Sequence, residues 1–67
     1  MNYTGKDLKK VVHKLGLKTV EGKKHIRVYD SEDRFITTLP RGEIKSGTLA
    51  AICKQLNIKR RQLKDFL

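Results

Sequence analysis

The sequence predicts a two-layer α+β domain in which two helices cover one face of a three-stranded antiparallel sheet. Two stretches with apolar residues at helical spacing flank a central region of three short runs rich in β-branched and aromatic residues. With 67 residues the chain can form only one domain, which we expect to span residues 1–67. A domain of this size has a thin core, so a functional site must lie on its surface or at a partner interface.

The first helix is predicted from about Gly5 to Leu15. Thr4 and Asp7 have the spacing of a capping box, in which each side chain bonds the backbone of the other residue. Gly16 is well placed to end the helix in a left-handed conformation. One helix face is marked by apolar residues at positions i, i+3, i+4 and i+7: Leu8, Val11, Val12 and Leu15. The outer face carries lysines and His13, which we expect to be solvated.

Three strands follow, and short polar turns join them into an antiparallel meander. The strands are predicted at Leu17 to Val20, Lys24 to Tyr29 and Arg34 to Leu39. Glu21-Gly22 supplies the first turn and Asp30-Ser31-Glu32-Asp33 the second, because these residue types favour turns. The third strand ends at a proline, which cannot donate a hydrogen bond to a neighbouring strand.

The second helix is predicted to begin with Ser46 as its N-cap and to close at Asn57 in the left-handed conformation. Its inward face repeats the helical spacing of the first: Leu49, Ile52, Cys53 and Leu56. Cys53 is therefore expected to be a buried packing residue, with a reactive thiol as the alternative. Ile44 is expected to anchor the preceding loop to the core.

A short third helix is predicted from Ile58 to Leu67. Three residues are expected to point inward: Leu63, Phe66 and Leu67. Its outer face is basic and carries Lys59, Arg60, Arg61 and Lys64.

The central strand has two chemically different faces, because side chains alternate along a strand. Lys24, Ile26 and Val28 share one face, which can pack against the helices. His25, Arg27 and Tyr29 share the other face. The local pattern provides nothing to cover this second face, so a histidine next to cations is expected on an open surface.

The net charge of +9 and the pI near 10.1 favour a polyanionic partner, and nucleic acid is the commonest one inside cells. An acidic protein and a merely solvated lysine surface are the alternatives. The single cysteine allows no internal disulfide, which is typical of a reducing cytoplasm. The sequence lacks the apolar run of a signal peptide or of a membrane span. We therefore expect a soluble cytoplasmic protein.

Three segments together resemble the HicA family of bacterial toxins. They are Gly22-Lys23-Lys24-His25-Ile26-Arg27-Val28, then Thr38-Leu39-Pro40, then the run from Glu43-Ile44-Lys45-Ser46-Gly47-Thr48-Leu49 to Leu56. The most specific feature is a Gly-x-x-His turn followed, about twenty residues later, by a Glu-Ile-Lys-x-Gly-Thr-Leu helix start. The resemblance spans nearly the whole chain.

This resemblance implies a fold similar to double-stranded-RNA-binding domains and the toxin role in a type II toxin–antitoxin system. It implies a metal-independent endoribonuclease, an mRNA interferase without a cofactor, that a HicB-type antitoxin neutralises by covering the catalytic face. The family's catalytic histidine falls on His25. The chain departs from the family in having Lys23-Lys24 between the glycine and the histidine. It also has Arg41 after Pro40, where many members carry a second histidine.

RNA carries its own nucleophile, the 2′-hydroxyl, so a cleaving protein has only to move protons and stabilise charge on phosphorus. A histidine titrates at about 6.5 in model peptides and can exchange a proton near neutral pH. The residues predicted to bind RNA are Lys23, Lys24, Arg27, Tyr29, Arg41 and Lys45. Tyr29 or Phe35 can stack on a base, with core packing as the alternative. Lys45 at the start of the second helix can meet a phosphate, with plain capping as the alternative.

Two other functions stay open on the sequence. A noncatalytic double-stranded-RNA-binding module has the same topology, and in it His25 is only a surface residue. A structural or interaction protein can bind an acidic partner through the same basic surface. Zinc binding and a Ser-His-Asp site are not indicated, because two histidines and one cysteine are scattered along the chain and no such constellation is recognisable.

Overall fold

The structure is a computed structural model that describes residues 3–67. Its elements in chain order are β1 (Tyr3–Thr4), α1 (Gly5–Lys14), β2 (Lys18–Glu21), β3 (His25–Tyr29), β4 (Phe35–Pro40), β5 (Glu43–Ile44), α2 (Ser46–Gln55), a 3₁₀ turn (Arg60–Gln62) and α3 (Leu63–Phe66). The predicted α-β-β-β-α order with a short C-terminal helix is confirmed, and it is the order of double-stranded-RNA-binding folds. No helix in this part of the chain is long and apolar enough to cross a membrane.

The main sheet is antiparallel with the strand order β2-β3-β4, as predicted. Arg27 of β3 lies between its pairing partners Val20 of β2 and Thr38 of β4. The predicted strand boundaries differ from the observed ones by one residue, except at the end of β3, which is Tyr29 as predicted; Lys24 belongs to the turn before β3. A second, two-stranded sheet was not predicted: β1 pairs with β5 through Tyr3 and Ile44. Two residues per strand are too few to show a periodic pattern.

A bulge interrupts the pairing of β3 with β4. Val28 lies opposite Thr37, whereas the next residue, Tyr29, lies opposite Phe35, so Ile36 is the additional residue. The bulge places Phe35 on the same face of the sheet as Tyr29. Their rings are in edge-to-face contact, with centroids 5.8 Å apart and an interplanar angle of 72°.

The core lies between this sheet and the two main helices. Its members are Leu8, Val11, Val12, Ile26, Val28, Leu39, Ile44, Leu49, Ile52, Cys53 and Leu63. The predicted inward faces of α1 and α2 are therefore confirmed, and Leu15 and Leu56 pack at the margin. Cys53 is buried as predicted, and this burial raises the pKa of its thiol.

The predicted ends of the two main helices are confirmed except at the start of α2. Thr4 and Asp7 form the capping box, with a Thr4 N to Asp7 Oδ2 distance of 3.0 Å. Gly16 and Asn57 have left-handed φ angles of 82° and 59°. The prediction that Ser46 caps α2 is wrong, because the N-cap is Lys45 and no side chain caps it. Ser46 is the first helical residue.

The C-terminal segment is less regular than the predicted single helix. A 3₁₀ turn begins where the backbone N–H of Lys59 donates to Gln62 Oε1 at 2.7 Å, and a four-residue helix follows. Leu63 is buried and Phe66 packs against the core, as predicted. Leu67 does not point inward; it is 50% exposed, because it follows the last helical residue and no longer shares the helical period.

Gly5 is packed too closely for any side chain. It is buried at the start of α1, and its N–H donates to the carbonyl of Gly42 at 3.0 Å. A Cβ atom on this residue would overlap the carbonyl oxygen of Pro40 and lie 3.0 Å from the Cα of Arg41. The backbone of α1 therefore rests directly on the loop between β4 and β5.

Replacing Gly5 by alanine should destabilise the fold, because α1 and the Pro40 loop must separate to admit the methyl group. Overpacking of this kind typically costs about 1–3 kcal/mol and occasionally more. Urea denaturation followed by circular dichroism measures the loss. The control is Gly47→Ala in α2, where an added Cβ meets no atom within 4 Å and stability should not fall. Equal stability of Gly5→Ala and wild type would contradict the close packing.

Candidate functional site

An open depression lies on the outer face of the sheet beside the turn between β2 and β3. We call it the His25 depression; its lining residues are Val20, Glu21, Gly22, Lys23, Lys24, His25, Arg27 and Thr38. Four of the residues predicted for the site therefore lie together here. His25 and Arg27 are exposed, as the alternation along β3 predicted. Lys23 and Lys24 are exposed as well. The prediction that Lys24 shares the inward face of Ile26 and Val28 is wrong, because Lys24 lies in the turn and not in the strand.

The local sequence explains why these side chains meet. Glu21 pairs with Ile26, and the N–H of Gly22 donates to the carbonyl of His25 at 2.8 Å, so only two residues form the turn. Those two residues are Lys23 and Lys24. Their ammonium groups are thus attached one and two residues before the imidazole, and Arg27 follows on the same face two residues after it.

The electrostatic field of the depression is positive. Glu21 is the acidic residue among the lining side chains, but its carboxylate accepts a hydrogen bond from Lys9 Nζ at 2.9 Å. The hydrogen bond and the charge of Lys9 lower the pKa of Glu21. The negative charge of Glu21 is therefore offset from the helix side of the sheet. The cations around His25 are left to attract an anion such as phosphate.

Arg41 holds the turn from the opposite side. Its Nε and Nη2 atoms both donate to the carbonyl oxygen of Gly22, at 2.8 Å and 2.5 Å. It lines a separate depression on the helix side, together with Lys6, Lys9 and Glu21. Arg41 is therefore next to the turn that carries His25, but it does not line the His25 depression.

The loop that carries Arg41 is itself anchored to α1. The N–H of Gly5 bonds the carbonyl of Gly42, and the adjoining residues of the loop pack against the same helix start. A continuous set of contacts thus runs from the start of α1 through Gly42 and Arg41 to Gly22. Sequence reasoning missed this role of Arg41 and of Gly5, because 19 residues separate Arg41 from Gly22 and no local pattern links them.

The remaining predicted site residues lie elsewhere. Tyr29 is half-buried at the other end of β3, about 13 Å along the strand from His25. Lys45 is exposed at the start of α2 and does not line the His25 depression. His13 is exposed on α1, and its Nε2 atom lies 3.0 Å from the hydroxyl of Thr19.

The His25 depression combines a group that can transfer protons with groups that can bind an anion. An exposed imidazole can accept or donate a proton near neutral pH, and the adjoining ammonium and guanidinium groups can hold a phosphate beside it. Residues 3–67 contain no group of three histidine, cysteine, aspartate or glutamate side chains arranged to hold a metal ion.

Comparison with protein families gave one informative match. Comparison with curated proteins and comparison with solved structures both returned no match. The family described as the HicA toxin of bacterial toxin–antitoxin systems matches residues 5–58, which include the His25 depression, the Arg41 loop and α2. The chain therefore belongs to the HicA family of toxins from bacterial toxin–antitoxin systems.

Proposed function

We propose that this toxin is a metal-independent endoribonuclease that cleaves mRNA in the cytoplasm with His25 as its acid–base group. The observation that carries the proposal is the exposed imidazole of His25 in a depression shared with Lys23, Lys24 and Arg27. RNA is a polyanion with an internal nucleophile, so these groups supply what its cleavage needs. Membership of a toxin family gives such an activity a cellular purpose.

The proposed reaction is an intramolecular transfer at phosphorus. The 2′-hydroxyl oxygen attacks the adjacent phosphorus while the neutral imidazole of His25 takes the hydroxyl proton. The bond from phosphorus to the 5′-oxygen breaks, and that oxygen takes a proton from water or from the imidazolium. The products are a 2′,3′-cyclic phosphate and a 5′-hydroxyl end. Acid–base catalysis by a positioned side chain contributes about a hundred- to ten-thousandfold.

The cations next to His25 bind the phosphate and offset the charge that develops on it. Lys23, Lys24 and Arg27 have this role because they line the same depression. Lys45 contacts the RNA backbone further away, and Tyr29 contacts a base. Arg41 contributes mainly by holding the turn, since two of its donor atoms already bond Gly22.

The partner of the toxin is a HicB-type antitoxin. An antitoxin that covers the outer face of the sheet would block access to His25 and neutralise the cations around it. The net charge of +9 favours a partner with an acidic surface. The same charge favours rapid association of the toxin with RNA.

Replacing His25 by alanine should lower the rate of RNA cleavage by about 10²- to 10⁴-fold, because the proton acceptor is lost. Labelled mRNA incubated with the protein in the presence of EDTA, and resolved on a denaturing gel, measures the rate. His13→Ala is the matched control, since His13 is also exposed but lies on α1. Induced synthesis should arrest bacterial growth for wild type and His13→Ala but not for His25→Ala. RNA that is shifted in mobility yet intact would instead indicate a noncatalytic RNA-binding domain.

Replacing Arg41 by alanine should lower the cleavage rate constant while leaving RNA affinity close to that of a control with the same loss of charge. The physical reason is that the Gly22 turn loses two hydrogen bonds, and misplacement of a catalytic group by about 1 Å can cost up to about 100-fold. Arg61→Ala is the control, because Arg61 is exposed and lies in the 3₁₀ turn.

The two roles of Arg41 are separated by measuring binding and cleavage independently. Affinity is measured with 2′-O-methyl RNA, which cannot be cleaved because its nucleophile is blocked. A weaker affinity of Arg41→Ala at an unchanged cleavage rate constant would assign Arg41 to phosphate binding and contradict the positioning role.

A further inference from the structure

A second groove lies between the edge strand β4 and helix α2. Its lining includes Phe35, Thr37, Thr38, Thr48, Ile52 and Gln55, and every residue that lines it is uncharged. Because 34% of the residues in this chain are charged, a groove without any charged residue is unusual on its surface. We call it the neutral groove.

The neutral groove adjoins the His25 depression. Thr38 lines both, and in the sheet Thr38 lies directly opposite Arg27. A ligand that crosses Thr38 therefore meets cations on one side and uncharged side chains on the other. Such a ligand has an anionic part joined to an uncharged part, as a nucleotide has.

We propose that the neutral groove binds an unpaired base near the cleavage site, on the same RNA strand as the phosphate at His25. This inference rests on the proposed function and names the substrate class: RNA that is single-stranded at the cleavage site. Phe35 is 58% exposed and offers a ring on which a base can stack. Its contact with Tyr29 at 5.8 Å holds the ring in place. The exposed hydroxyl of Thr48 and amide of Gln55 can bond the polar edge of the base.

The charges beyond Phe35 favour a base over a phosphate at this position. The turn between β3 and β4 carries Asp30, Glu32 and Asp33. Asp33 pairs with Lys18 at 3.1 Å and Glu32 with Arg34 at 2.7 Å, while Asp30 accepts backbone N–H groups. The backbone N–H of Arg34 lowers the pKa of Asp30 and so keeps it ionised. Lys18 and Arg34 offset two of the three carboxylates, which leaves one net negative charge. This end of the sheet therefore does not attract a phosphate as the His25 depression does, but it tolerates a neutral base. A base inside a duplex would be covered by its stacked neighbours and its partner, so the groove selects unpaired RNA.

The test is the binding of short RNA that cannot be cleaved. The probes are 2′-O-methyl hexanucleotides of adenine, of cytosine and of uracil, together with a hexamer of the same backbone without bases. Uniform sequences make the binding register irrelevant. The variants are Phe35→Leu and Gln55→Ala, with Leu67→Ala as the control, because Leu67 is also exposed and apolar but lines neither surface.

Phe35→Leu should bind the base-bearing hexamers about 5- to 100-fold more weakly than wild type, the range expected for a lost base stack. It should bind the hexamer without bases as wild type does. The dependence of affinity on salt should not change, because no phosphate contact is removed. Gln55→Ala should reduce the differences in affinity among adenine, cytosine and uracil. Leu67→Ala should match wild type throughout.

The proposal is overturned if both variants bind all hexamers as wild type does, which is the result expected of a groove that docks a protein. It is also overturned if Phe35→Leu loses equal affinity for the hexamer without bases. Failure of the proposed function is a separate outcome: wild type would show the predicted binding pattern but leave unmodified RNA intact. Absence of any binding to RNA by wild type would overturn both.

Discussion

The alternation of side chains along β3 is the constraint on which the rest of the structure depends. Ile26 and Val28 are almost completely buried against the helices, so His25 and Arg27 must point to the opposite face. A shift of one residue in the pairing of β3 would bury an imidazole and a guanidinium and expose two apolar side chains, which is strongly unfavourable. The hydrophobic core therefore determines which face of the protein can meet an anionic ligand, although no core residue lines the His25 depression.

Most of the fold could be predicted because its determinants are local. The inward faces of α1 and α2 follow from helical spacing, and the left-handed ends at Gly16 and Asn57 follow from residue type. The prediction for Ser46 failed because α2 begins one residue earlier, with Lys45 as its N-cap, and the Ser46 hydroxyl instead accepts a bond from Arg60 at 2.9 Å. That partner comes fourteen residues later in the chain, and an interaction of this kind leaves no trace in the nearby sequence.

The candidate site could be predicted only in part, for the same reason. The residues from Lys23 to Arg27 are consecutive, so they lie close together, and alternation gives the exposed face of His25 and Arg27. The turn itself is formed by Lys23 and Lys24 and not by Glu21-Gly22 as predicted, because Glu21 still pairs with Ile26 in the sheet. The contact of Arg41 with Gly22 depends on how the loop after β4 folds back over the turn. The position of Phe35 depends on a bulge that no sequence signal marks. Contacts between segments that are far apart in the sequence could be identified only from the structure.

The close packing of Gly5 against the loop after β4 has a practical consequence for the choice of an affinity tag. Tyr3 and Thr4 pair with β5 immediately before Gly5, so the chain enters the fold within a few residues of the loop that holds Arg41. A bulky affinity tag fused ahead of Tyr3 would lie close to the contacts by which Gly42 and Arg41 hold the turn before β3. Leu67 takes no part in these contacts, so a purification handle appended after it is the better choice for functional measurements.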